Sequence, residues 1–68
     1  VFDNVKLGRY LRSKRERTDT RARRIARVMG ISPQFLSDLE GGKKGWTPEL
    51  MESYLRSLRD VVAGRTPL

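Results

Sequence analysis

Residues 22–42, ARRIARVMGISPQFLSDLEGG, decide the fold of this chain. They read as two short helices joined by a tight turn. The first carries apolar residues at Ala22, Ile25, Ala26 and Met29, the spacing of one helical face. Gly30 supplies the break. The second helix opens with Ser32-Pro33. Ser is an N-cap type, and Pro at the next position loses no hydrogen bond because that N–H would be orphaned anyway. Ile31 and Leu36 can close over this start as a hydrophobic staple. Leu36 and Leu39 point inward, and Gly41-Gly42 ends the helix, since glycine takes the left-handed conformation without a Cβ penalty.

The same start device recurs downstream. Trp46, Thr47, Pro48 and Met51 supply staple, cap, first residue and staple partner. A fourth helix then turns Leu50, Met51, Tyr54, Leu55 and Leu58 inward. Val61 and Val62 continue the stripe to about Ala63, and Gly64 stops it. Upstream, Asp3 or Asn4 caps a first helix running to about Arg17, with Val5, Leu7, Tyr10 and Leu11 as its inner stripe. Thr18-Asp19-Thr20 breaks it, and Thr20 is the expected N-cap of the next helix, from Arg21 to Met29. The expectation is an all-α, compact four- to five-helix bundle. Residues 1–63 form one domain and 64–68 a flexible tail. Helices this short cannot stand alone in water, so they must pack on one another.

Composition narrows the function. The 68 residues contain no Cys and no His, which removes disulfides, thiolate metal sites and the commonest general base. No cofactor, metal or small-molecule substrate is evident. Glu49, Glu52 and Asp60 lie on an exposed polar helix face, and Gly41, Gly42 and Gly45 make no phosphate loop. An enzyme is not expected. There is no signal peptide and no apolar run near the roughly 20 residues of a membrane span, so a cytoplasmic, nucleoid-associated protein is expected.

The net charge is +7 and the pI about 10.9. Ten basic residues lie between Lys6 and Arg27, opposed there only by Glu16 and Asp19. Such a one-sided field holds polyanions. Two other readings of the charge compete: a solvated surface that keeps the chain soluble, and a membrane surface, which lacks the bulky apolar face it needs.

The pairing of helices at residues 22–42 is the pattern of a helix-turn-helix, whose second helix lies in the DNA major groove. With Leu36 and Leu39 inward, its outer face is Pro33, Gln34, Ser37 and Asp38, with Phe35 partly exposed. Gln pairs bidentately with adenine, Asp accepts from cytosine N4, and Phe packs on a thymine methyl. Each has a plainer reading: Gln34 touching phosphate only, Asp38 repelled by phosphates, Phe35 packed in the core. Arg21, Arg23, Ser32, Lys43 and Lys44 flank this face as phosphate contacts, aided by the helix N-termini. Arg24 and Arg27 are left to solvent.

At these residues the chain resembles the lambdoid repressor and Cro-like helix-turn-helix (Xre) family. The matching motifs are LRSKR at 11–15, Ile25-Ala26 with Gly30, Ile31-Ser32-Pro33, and Phe35-Leu36-Ser37-Asp38-Leu39-Glu40 followed by Gly42-Lys43. The resemblance covers about residues 5–58. It implies a bacterial or phage regulator binding operator DNA as a two-fold dimer. It also implies that Ala26 lets two helices approach closely. An ion pair of Arg15 with Glu40 would tie the first helix to the third, with Arg15 also facing phosphate. Three positions depart from the pattern: Thr20 for a usual Leu, Arg21 for a capping Ser or Asn, and Ala22 for a phosphate-touching Gln. They shift the expected start of the second helix by a residue.

These observations together point to a sequence-specific double-stranded DNA-binding repressor. It would dimerise through the end of the fourth helix at Leu58, Val61 and Val62. The competing reading is an adaptor module binding a protein through Trp46, Tyr54 and the Val61–Val62 end. A third is a nonspecific or RNA-binding basic domain, for which Phe35, Tyr10 and Trp46 are the only stacking candidates.

Overall fold

The computed structural model describes residues 3–64. Four helices follow one another: α1 (Asn4–Arg17), α2 (Ala22–Met29), α3 (Pro33–Glu40) and α4 (Pro48–Val62). No strand and no fifth helix occur among the described residues. Of the expected 64–68 tail, residues 65–68 lie outside them. The helix starts follow from local chemistry. Asp3 caps α1 by accepting from the Lys6 N–H, Ser32 caps α3 by accepting from Phe35, and Thr47 caps α4 by accepting from Leu50.

The start of α2 differs from expectation. Arg21, not Thr20, is its N-cap, without a side-chain cap bond, and the helix begins at Ala22. Thr20 is instead tied into the preceding turn, its hydroxyl 2.8 Å from that of Thr18 and its carbonyl accepting from Arg15. Gly30 closes α2 in the left-handed conformation, φ 78°, which sets the turn into α3.

Leu11, Ile25, Ala26, Leu36, Leu39, Trp46, Tyr54 and Leu58 form the buried core. α1 rests on α3, and α2 rests on both α3 and α4. Of the expected inner stripe of α1, Leu11 lies in the core and Leu7 packs against it, but Val5 and Tyr10 do not. Gly8, Leu11 and Arg15 are buried, whereas Val5 and Tyr10 are 50% and 56% exposed. Gly8 explains the rotation. A Cβ built there would lie 2.6 Å from the Glu40 carbonyl oxygen and 2.7 Å from that of Leu39. α1 therefore meets the end of α3 backbone to backbone, and its larger neighbours turn aside. Tyr10 lies along the surface with the Lys14 ammonium 5.5 Å from its ring centroid. Leu55, expected inward on α4, is also exposed.

A buried polar network joins α1, α3 and α4. Arg15 Nε and Nη2 donate to Glu40 Oε2 and Oε1 at 2.9 and 3.1 Å, and Nη1 donates to the Thr20 carbonyl at 2.7 Å. The Tyr54 hydroxyl donates to Glu40 Oε2 at 2.6 Å, with the Leu11 carbonyl 3.2 Å away. Burial disfavours the Arg15 cation, but the hydrogen bonds and charge of Glu40 outweigh it and hold the guanidinium above its usual range. Burial, then the Glu40 carboxylate, push the Tyr54 phenol well up, so it stays a donor. Trp46 completes the seam: its Nε1 donates to the Leu39 carbonyl at 2.9 Å and its ring meets Tyr54 edge-on at 5.6 Å.

Candidate nucleic-acid interface

α3 presents one uncovered side. Leu36 and Leu39 are inaccessible and Glu40 is buried, which turns Pro33, Gln34 and Ser37 to the exterior. Asp38 is half-buried beside them. Phe35 is half-buried and packs against the core, so only part of its ring is available. The Gln34 Nε2 donates to Asp38 Oδ1 at 3.1 Å, one turn along the same face.

Both ends of α3 are tightly built. Ser32 Oγ accepts from the Phe35 N–H at 3.0 Å, and its own hydroxyl hydrogen remains free to donate outward. At the far end the Asp38 carbonyl accepts from the backbone N–H of both Lys43 and Lys44, at 2.8 and 3.3 Å. That folds the loop back on the helix and holds the backbone of two exposed lysines at its C-terminal end. A third tie, Trp46 N–H to Asn4 Oδ1 at 2.9 Å, pins the loop to α1.

The polar side of α3 opens into a concavity of about 410 Å³ whose walls include Arg12, Ala22, Gln34, Ser37, Asp38 and Lys43. Nothing in the sequence distinguishes Arg12 from its basic neighbours. It reaches this wall from α1 while pairing with Glu16 at 3.4 Å on the exposed surface. Its signal is only membership of the dense basic run. Arg21 and Arg23 are exposed, but they line a different groove. That groove, of about 540 Å³, runs between α2 and the end of α4, with Arg24, Arg27, Val61 and Val62. Arg21 sits at the corner between the two, immediately before Ala22.

Several expected roles change. Arg15 directs three of its N–H groups to Glu40 and Thr20 and is mostly buried at the floor of the concavity beside α3, so its role is first structural. Trp46 and Tyr54 are 5% and 0% exposed, which closes them to an adaptor's partner and removes Trp46 as a stacking residue. At the end of α4, Leu58 belongs to this chain's own core at 7% exposure. Val61 is half-buried and Val62 is 59% exposed. Val62 and Leu55 expose most of the apolar surface there, with Leu58 at the floor of the depression between them.

α2, the Gly30 turn and α3 have the architecture of a helix-turn-helix. A family model described as helix-turn-helix domain matches residues 6–65. The chain belongs to this helix-turn-helix family. The family is of the Xre/Cro-like type. No curated protein and no solved structure matches the chain. Within this helix-turn-helix domain, no described helix is long and apolar enough to cross a membrane. The described residues hold no group of acidic side chains able to bind a metal ion.

Proposed function

We propose that this helix-turn-helix domain binds double-stranded DNA in a sequence-specific manner as a transcriptional repressor. The reading is carried by one observation: the polar side of α3 is uncovered over Pro33, Gln34 and Ser37. A single α-helix fits the major groove, about 12 Å wide, and base edges there are told apart by hydrogen bonds and methyl contacts.

In this arrangement α3 enters the groove. Gln34 and Ser37 meet base edges with Asp38 beside Gln34 on the same face, Pro33 packs at the helix start, and the exposed part of Phe35 touches a thymine methyl. Ser32 donates its hydroxyl to a phosphate and Lys43 and Lys44 grip the backbone after α3, while Arg21 and Arg23, on the neighbouring groove, would hold phosphates farther from α3. These contacts set register without carrying sequence information. A homodimer formed through Val61 and Val62 at the end of α4 would place two copies of α3 about one helical turn apart, roughly 34 Å. Leu58 would support that surface from beneath.

Selection from randomised duplexes tests the reading. Enrichment of a defined site, with the Gln34→Ala chain losing its preference at one base pair, supports it. Equal binding of scrambled and enriched duplexes would refute it.

A further inference from the structure

We infer that Asp38 is a positioning residue that sets the Gln34 amide to accept adenine and refuse guanine. The inference rests on the DNA reading proposed above. Gln34 and Asp38 are four residues apart on α3, hence one above the other on the same face. The Gln34 Nε2 donates to Asp38 Oδ1 at 3.1 Å. The Asp38 backbone is held by the N–H groups of Lys43 and Lys44, which its main-chain carbonyl accepts. Asp38 is half-buried, whereas Gln34 is exposed.

The consequence is chemical. An amide side chain offers two N–H donors and one carbonyl acceptor, and it can ordinarily flip between them. A carboxylate only accepts. Asp38 therefore takes one N–H of Gln34 and decides which way the amide faces. What remains for a base is one N–H and the Oε1 acceptor. Adenine shows an acceptor at N7 and a donor at N6, which is the complement of that pair. Guanine shows two acceptors, N7 and O6. Reading it needs both N–H groups, and with one already committed Oε1 would be pressed against O6.

Three variants separate this role from direct base contact by Asp38. Gln34→Ala identifies the base pair concerned, as the one whose preference disappears. Asp38→Ala releases the amide, and the adenine-over-guanine preference at that same pair should fall about tenfold or more. Asp38→Asn can offer Gln34 either its carbonyl or its N–H, so it holds the amide only in part. The preference should fall less than in Asp38→Ala, while every duplex binds more tightly because a negative charge has left the interface. Competition binding with duplexes differing at that pair reads both quantities, and circular dichroism confirms that each variant is folded. The inference is overturned if Asp38→Ala keeps the preference, or if Asp38→Asn lowers it more than Asp38→Ala does. A wild-type chain that enriches no site overturns the DNA reading and the inference together. An enriched site whose preference Asp38→Ala does not move overturns the inference alone.

Discussion

Replacing Gly8 by Ala sets two well-known effects against each other, and the geometry decides between them. In an unobstructed helix the change stabilises by about 0.5–1 kcal/mol, because glycine loses more conformational freedom on folding. Here the added Cβ meets the backbone oxygens of Glu40 and Leu39 at 2.6 and 2.7 Å and the Glu40 carbonyl carbon at 3.0 Å. None of these atoms is the end of a flexible side chain. The end of α3 is held by Arg15 and Tyr54 through Glu40 and by Trp46 through Leu39, so α1 must withdraw instead. Overpacking of this kind costs about 1–3 kcal/mol, and contact with two backbone oxygens at once places Gly8 in the upper half. Subtracting the propensity gain leaves a net loss of about 1–2.5 kcal/mol. For a domain of this size each kcal/mol moves Tm by roughly 4–8 °C, so Gly8→Ala should melt roughly 4–20 °C lower. Thermal unfolding followed by circular dichroism measures it. A Tm raised above that of the parent chain would refute the close approach of α1 to α3.

Removing the Glu40 carboxylate as Glu40→Ala strands the Arg15 cation and should cost about 3–5 kcal/mol, much of the stability of so small a domain. The double replacement Arg15→Met with Glu40→Leu should recover most of it, the Tyr54 hydroxyl turning to the Leu11 carbonyl; denaturant unfolding compares the two. Lys43→Gln should weaken all duplexes alike and reduce the slope of log K against log salt by about one, as fluorescence anisotropy across a salt series would show. Tyr54 supplies a pH test. Its phenol is raised in the fold while an unfolded tyrosine ionises near pH 10, so its contribution is intact below about pH 10 and falls away above it. The wild-type Tm should drop more steeply than that of Tyr54→Phe above pH 10, and parallel curves would contradict the network.

What could be read from the sequence was local. Ser32-Pro33 and Thr47-Pro48 announce the starts of α3 and α4 because cap, first residue and backbone donor lie within three residues of one another. The outward side of α3 follows from Leu36 and Leu39 alone. What failed depended on partners far along the chain. Thr20 looks like a cap until its carbonyl is claimed by Arg15 and its hydroxyl by Thr18. Val5 and Tyr10 look like core residues. The seam, however, runs through Gly8, which has no hydropathy to show, and Arg15, which has the wrong one. Trp46 and Tyr54 look free to bind a partner, yet each buries its polar atom on a neighbouring helix. Arg12 reached the concavity beside α3 unnoticed, since one arginine among ten basic residues carries no signal of direction.

The central claim is that the polar side of α3 is the surface on which nucleotides are read. Titrating an isotope-labelled chain with a selected duplex, and following its backbone amides by NMR, tests it most directly. The account predicts that the largest shifts fall on Gln34, Ser37, Asp38 and Lys43. Shifts confined to the Val61–Val62 end of α4, with α3 unmoved, would contradict it.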